Sequence, residues 1–350
     1  MGLKECCFRV LPFAAMVMLE SLSVGLTTLS KAAMSKGMNN YIFVLYSNAI
    51  ATLFIFPTYF FFLRKKSPPV TFTLLCRFFI LSLLGLTGMQ NCVMTGINYS
   101  SPTLGSAMSQ LIPAFTFILA VVFRMEKVDL KSSRSQIKIL GTVLTIAGAM
   151  IVIFFKGPKI GGISSRQDPT PTNLVTENDS WVIGGLFLAT GSLCLSMYAI
   201  LQAAILKEYK SEMTVISFFC LFGTIQCGIL CLITVRDPNA WKLNLDIELI
   251  SVIYSAFFGT FVTYAVLSWC INKKGPVFVA MFKPVGIAVA ALFGVIFLGD
   301  TLQLGSILGA IVIVGGFYGV IWAQSKDEEQ NELKQSSSQK TPLLESRQSA

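Results

Sequence analysis

From Val10 to Ser30 the chain reads VLPFAAMVMLESLSVGLTTLS. About 20 residues of this polarity are enough to cross a bilayer as a helix. Glu20 stands near the middle of the run and is the one acidic residue inside any of the predicted spans. A carboxylate at that depth costs roughly 2.5–3.5 kcal/mol on insertion scales, so it faces a partner or a watery cavity. Similar apolar runs recur along the chain, which is 54% hydrophobic and only 13% charged. A soluble domain carries about 25% charge. The chain therefore reads as an integral membrane protein with many spans.

Ten spans are predicted: 10–30, 41–63, a third from after Arg77 to about 96, then 102–123, 139–155, 181–204, 213–235, 249–271, 276–298 and 302–323. Lys156 to Ser180 forms a polar linker, and the polar tail from Gln324 has a disordered composition. The net charge of +9 is spread over short loops between apolar runs, so it sets topology rather than marking a nucleic-acid partner. With the N-terminus inside, 19 Lys or Arg fall on the cytoplasmic side and seven outside, with Lys283 left over within a span. That bias places both termini in the cytoplasm.

The chain reads as duplicated. INYSSP (Ile97 to Pro102) matches INKKGP (Ile271 to Pro276), and 24 residues separate Pro102 from Glu126 and Pro276 from Asp300. Glycine-rich spans follow in both halves, with Gly141 and Gly148 in one and Gly305, Gly309, Gly315 and Gly316 in the other. Five spans per half is odd, so the second half is inverted. Inverted repeats of this kind belong to alternating-access carriers, with the site near mid-membrane. The expected fold is thus an all-α membrane protein of ten transmembrane helices in two inverted five-helix repeats. Its expected parts are 1–155, the extracytoplasmic linker 156–180, the second repeat 181–323 and a cytoplasmic tail 324–350.

The absence of histidine removes His-based triads and His-ligated metal sites. The nine cysteines form no CxxC pair and read as small packing residues, with Cys6 and Cys7 as candidates for palmitoylation. No metal, cofactor or catalytic residue is expected, and an enzyme is not. Candidates for substrate binding or coupling come from polar or helix-breaking residues in apolar surroundings. Glu20 lies about 16 Å and Lys283 about 10 Å from the cytoplasmic end of its span, close enough for a long lysine stem to bridge. In one reading they serve a zwitterion, Lys283 meeting a carboxylate and Glu20 an amine or a coupling proton. In the other, Glu20 bonds to backbone or Thr groups while Lys283 snorkels to the surface. Gln90 and Asn91 bind substrate or hold helices together. Pro113 and Pro284 interrupt the fourth and ninth spans, either exposing backbone groups to a site or merely kinking the helix. Gln202 and Trp269 lie near cytoplasmic span ends, and Trp269 suits interfacial anchoring. The two GxxxG spacings of the last span, over Gly305, Gly309, Gly315 and Gly319, mark a packing face.

The stretches SKAAMSKGMNNYIFVLYSNAIATL, GMQNCVMTGINYSSPTLGSAMSQLIPAFTFILAVVFRMEKVDL, SWCINKKGPVFVAMFKPVGI and FLGDTLQLGSILGAIVIVGGFYGVIWAQSK are together specific. They resemble the plant members of the drug/metabolite transporter superfamily with two EamA-type halves, in the Walls-Are-Thin-related or UMAMIT group, over about residues 9–325. The resemblance implies ten helices, alternating access and export or bidirectional transport of amino acids. Some relatives are linked to auxin or other metabolites, and nucleotide sugars or organic anions are an alternative cargo. Gln90, Asn91, Pro113, Trp269, Gly275, Pro276 and Pro284 sit on the family pattern; no role for Glu20 is carried over. Asp300 stands where Glu is more usual. The expected partners are a small-molecule substrate and the bilayer, with a homodimer as an option and no nucleic acid. The plasma membrane is preferred over the vacuolar membrane, because Gln339 replaces the acid that the dileucine stretch QKTPLLE would need.

Overall fold

The computed structural model describes residues 3–63, 68–99, 105, 108–125, 132–154, 178–209, 211–243, 246–289, 308–309, 311–323 and 326. Glu126, Asp300, the cluster Arg64 to Lys66, most of the 156–180 linker and all of the 324–350 tail except Lys326 lie outside them. The described residues are helical, with turns and no strand. The helices are α1 (Leu3–Ser35), α2 (Asn40–Thr58), α3 (Phe72–Ser82), α4 (Met89–Tyr99), α5 (Leu111–Val122), α6 (Ser133–Phe154), α7 (Asn178–Glu208), α8 (Glu212–Thr234), α9 (Ile247–Tyr254), α10 (Thr263–Lys274) and α11 (Pro276–Ala280). Residues 283–289 form α12, and Ile311–Ala323 forms α13. A π-helical stretch, Leu83–Gly88, fuses α3 to α4, and another, Ser255–Val262, fuses α9 to α10.

Five helical stretches are long and apolar enough to cross a membrane: Asn40–Phe61, Phe72–Ile97, Val182–Glu208, Glu212–Thr234 and Ile247–Lys274. Shorter apolar helices accompany them at Val10–Leu26, Leu111–Val122, Pro276–Val289 and Ile311–Ala323. The distribution of side chains is the reverse of a soluble domain's. Leu53, Phe61, Leu186 and Leu232 point outward, each about 70% exposed, while Asn48, Ser196, Ser251 and Thr260 are buried. An apolar outside is what a lipid solvent selects, and polar groups then gather where helices meet.

Helix ends reach further than hydropathy predicts. α1 extends both ways beyond 10–30, and α6 starts at Ser133 rather than near Ile139. The third span begins at Phe72, so Arg77 lies inside α3 instead of before it, paired with Glu208 at the end of α7. α9 begins at Ile247 and takes in Glu248, which is buried in its first turn. A growing helix gains one hydrogen bond per added residue, and long charged side chains can reach back to polar surroundings, so helices do not stop where hydropathy falls.

Contacts fix the relative directions of neighbouring helices. Ser192 and Ser196 of α7 donate to the carbonyls of Met108 and Ile112, stepping upward together, so α7 and the α5 segment run the same way. Tyr41 meets Cys231, Asn48 meets Cys227 and Thr52 meets Thr224, so α2 and α8 run oppositely. α6 and α13 also cross in opposite directions, at glycines. A Cβ on Gly141 would lie 2.7 Å from the Gly316 carbonyl, and one on Gly316 the same distance from that of Gly141. Gly148 meets Gly309 and Ile313 in the same way. The face of the last span that packs against the glycines of α6 thus carries Gly309 and Gly316, as small-residue faces do in membranes, whereas a Cβ on Gly315 would meet nothing within 4 Å, one on Gly319 would meet only Ile137 at 3.8 Å, and Gly305 lies outside the described residues.

Gly275 leaves α10 with φ +88°, a backbone region open to glycine, and Pro276 starts α11. α11 stops at Ala280, turns through Met281 and Phe282, and resumes as α12. The cause is local: Pro284 has no N–H to give to the Ala280 carbonyl. Pro113 stands third in α5, just after a turn at Gln110.

Candidate functional site

The inward face of α1 carries Met16, Leu19 and Glu20, while Val17 and Met18 face outward. Lys283 stands directly after the break between α11 and α12. Its Nζ donates to Glu20 Oε1 at 2.9 Å. The Glu20 side chain keeps 8% of its accessible surface and that of Lys283 keeps 28%. The second carboxylate oxygen rests on Gly286, one turn beyond Lys283, where a Cβ would lie 2.5 Å from Glu20 Oε2. The acid is therefore held between an ammonium and a bare stretch of helix backbone. Two helical turns toward the start of α1 stands Phe13, which begins a chain of ring contacts. It meets Phe278 at 5.0 Å between ring centres, Phe278 meets Phe282 at 5.1 Å, and Phe282 meets Phe317 at 4.7 Å. In the structure Glu20 and Lys283 thus face one another.

A second polar centre, uncharged, surrounds Asn48. This side chain is fully buried. Its amide donates to Gln90 Oε1 at 3.2 Å, and its carbonyl oxygen accepts from the Thr260 hydroxyl at 3.3 Å. Alongside, Thr87 donates to Gln226 Oε1 at 2.8 Å, Asn91 donates to the Thr87 carbonyl at 2.7 Å, and Gln226 donates to the Phe79 carbonyl at 3.1 Å. The cluster ties α2, the α3–α4 stretch, α8 and the α9–α10 stretch together. It is covered by Phe43, Val44, Leu45, Cys227, Cys231 and Val252. Tyr46 fastens this cover by donating to the Trp241 carbonyl at 2.7 Å, and Lys36 pairs with Asp246 at the rim.

The other candidates are separate. Gln202 is buried beside the Tyr198 hydroxyl, and its Oε1 has no hydrogen-bond partner among the described residues. Tyr198 packs edge-on against Tyr264, whose hydroxyl donates to the Gly85 carbonyl at 3.0 Å. Trp269 is half-buried against the main core, and Pro113 is buried in the first turn of α5. Among the described residues no hydrogen bond joins the Glu20–Lys283 pair to Gln90, Asn91, Gln202 or Trp269. No group of three or more His, Cys, Asp or Glu among those residues could hold a metal ion. Sequence reasoning missed Gly286, Asn48, Thr87, Gln226 and Thr260. Gly286 had a usable signal, because a residue three places after Lys283 shares its helix face.

An all-helical bundle with an apolar exterior, a buried ion pair and a buried amide cluster is a multi-pass membrane protein built around internal polar groups. Its relatives give the class a name. The pattern of the EamA-like transporter family matches twice, over residues 12–154 and 182–322. The chain is 42% identical to the WAT1-related protein At3g28050 of Arabidopsis thaliana, over 97% of this chain and 96% of that one. It is 41% identical to the WAT1-related protein At5g40240 of the same plant, over 96% and 92%. A solved crystal structure shares the fold at 13% identity, with a TM-score of 0.65, covering 89% of this chain and 96% of that one. The chain belongs to the EamA-like transporter family, in its plant WAT1-related branch. It is a membrane transporter of the drug/metabolite superfamily.

Proposed function

We propose that this chain is a secondary carrier of amino acids or closely related small zwitterions, an exporter or bidirectional facilitator of the UMAMIT type. It works by alternating access between two inverted halves of five helices each, with both termini in the cytoplasm of a plasma-membrane protein. The observation that carries the proposal is the Glu20–Lys283 pair, opposite charges 2.9 Å apart inside apolar helices. Intramembrane ionisable pairs mark substrate and ion pathways. Gln90, Asn91, Gln202 and Trp269, and the helix breaks before Pro113 and Pro284, supply further polar surface for the path.

The packing supports inversion. α2 and α8, second in their halves, run oppositely against one another, and so do α6 and α13, last in theirs. The same-way pair of α7 with the α5 segment has its counterpart in α1 with the α11–α12 stretch. There Phe13 meets Phe278, and Glu20 meets Lys283. The double family match supports two copies of one unit. On this topology the amide cluster and its apolar cover lie toward the outside, and the four phenylalanines lie toward the cytoplasm. The charged pair sits between two closures, where a carrier keeps its site. An anion carrier would need cationic charge to spare, but the acid already neutralises Lys283.

Efflux from oocytes preloaded with labelled amino acids tests the reading, at external pH 5.5 and 7.5. Expressing cells are expected to lose label faster than controls, and Glu20→Gln to lower the flux or flatten its pH dependence. Well-expressed protein that moves none of the twenty standard amino acids would end the amino-acid reading.

A further inference from the structure

The geometry around Glu20 is that of an occupied carboxylate seat. An ammonium donates from one side, and the backbone of α12 lies bare on the other because residue 286 is glycine. Both contacts are made to the carboxylate group itself, Lys283 Nζ on one oxygen and Gly286 against the other. Lys283 has three N–H donors and gives one to Glu20 Oε1, which leaves two for a second carboxylate, and its side chain as a whole is 28% accessible.

We propose that Glu20 is a resident stand-in for the substrate's own carboxylate, and that this makes the site a filter for net-neutral zwitterions. The inference rests on the carrier reading above. An arriving amino acid places its carboxylate on Lys283 and Gly286 and displaces Glu20. The freed acid then meets the amine that arrives on the neighbouring carbon. One buried ion pair is exchanged for two, and the site stays neutral throughout. A carboxylic acid lacking the amine would displace Glu20 and strand it, buried and unpaired. An amine lacking the carboxylate could reach Glu20 only by stranding Lys283. Stranded buried charges are the costly outcome, so both are rejected. Gly286 becomes a positioning residue: it leaves the room in which the two carboxylates change places.

The test uses the full chain in proteoliposomes at pH 7.5. Labelled L-glutamine is the probe. Unlabelled L-glutamine, its des-amino counterpart 4-carbamoylbutanoate and its decarboxylated counterpart 4-aminobutanamide are the competitors. Wild-type protein is expected to prefer glutamine over either counterpart by about 100-fold, and Glu20→Gln to shrink the preference over 4-carbamoylbutanoate by about tenfold or more, a tenfold change being 1.4 kcal/mol. Gly286→Ala, which fills the seat but keeps both charges, is expected to weaken the two carboxylate-bearing ligands and leave 4-aminobutanamide unchanged. If Glu20→Gln weakens all three ligands equally, or Gly286→Ala does, the pair only staples α1 to α12 and the filter is wrong. If Glu20→Gln does not fold, Gly286→Ala decides alone. If wild-type protein moves neither glutamine nor any other neutral amino acid, the carrier reading fails and the filter falls with it; active transport with unaltered ligand ratios sinks the filter only.

Discussion

Removing Lys283 should cost the fold more than removing Glu20, and the structure says why. The charge left behind decides the penalty. Lys283→Met strands a carboxylate whose side chain is 8% accessible, whereas Glu20→Met strands an ammonium on a flexible side chain that is 28% accessible. Breaking a buried pair from one side costs about 3–5 kcal/mol. The lysine head can swing toward water, so Glu20→Met belongs at or below the lower end of that range. The double variant Glu20→Met/Lys283→Met leaves no charge behind, and replacing both members of a buried pair with apolar groups is often neutral. At roughly 2.1 cal/mol/K of unfolding entropy per residue, a 4 kcal/mol loss lowers the melting point of a 350-residue chain by about 5 °C. Thermal unfolding in detergent, followed by tryptophan fluorescence, reads all four proteins of the cycle. The expected order is wild type close to the double variant, then Glu20→Met, then Lys283→Met. Additive losses in the double variant would show that the two charges are not coupled, and the reversed order of the single variants would show that burial is not what sets the cost.

Three further outcomes follow from the packing and the rim. Gly141→Val should lower the melting point, because its Cβ would meet the Gly316 carbonyl at 2.7 Å and overpacking costs about 1–3 kcal/mol, while Gly315→Ala, with nothing within 4 Å, should melt like wild type. Tyr264→Phe removes a buried bond to the Gly85 carbonyl and should cost about 0.5–1.5 kcal/mol by the same melting assay, with no loss meaning that the hydroxyl does not hold the π-helical segment. Lys36 holds the Asp246 carboxyl below its usual range, first by its hydrogen bond, with the Ile247 N–H and the charge of Lys36 adding to it. A depressed carboxylate contributes above its unfolded value, near 3.9, and loses that contribution as pH falls through the lower folded value. The melting difference between wild type and Asp246→Asn should therefore be the same at pH 7 and pH 5.5 and shrink only below about pH 4; a difference that changes between pH 7 and 5.5 would contradict this pairing.

Glu20 and Lys283 were legible in the sequence because lipid makes a charge conspicuous: each breaks an apolar run and needs a physical reason to be there. Even their pairing could be anticipated, since depth along a straight helix is simple arithmetic. The amide cluster was only half legible. Gln90 and Asn91 stood out in their span, but Asn48 is one of several uncharged polar residues, with Ser47 and Thr52, in a run of aromatics and aliphatics. Its partner Thr260 is 212 positions away, on a helix whose facing side only packing decides. The helix ends were misplaced for a related reason. Hydropathy records where lipid begins, whereas the backbone continues as long as its hydrogen bonds and caps allow, so Arg77 and Glu248 became parts of helices.

Gly286 shows the limit most clearly. In a glycine-rich membrane helix the default reading of any glycine is close helix packing, and for Gly141 and Gly316 that reading describes the contact. At Gly286 the same missing side chain makes room for an ionised oxygen instead of a neighbouring backbone. The two uses are identical in sequence, since both are an absence. They differ only in what arrives from another helix, and that is fixed by the break before Pro284, which sets the turn carrying both Lys283 and Gly286 against α1. If that break positions the site, Pro284→Ala should restore a continuous helix through Met281 and Phe282. Lys283 and Gly286 would then turn together away from Glu20, and transport would fall, as is expected for Gly286→Ala, while the fold stays intact. A Pro284→Ala protein that melts like wild type and transports like wild type would show that the proline is a harmless kink and that the seat forms without it.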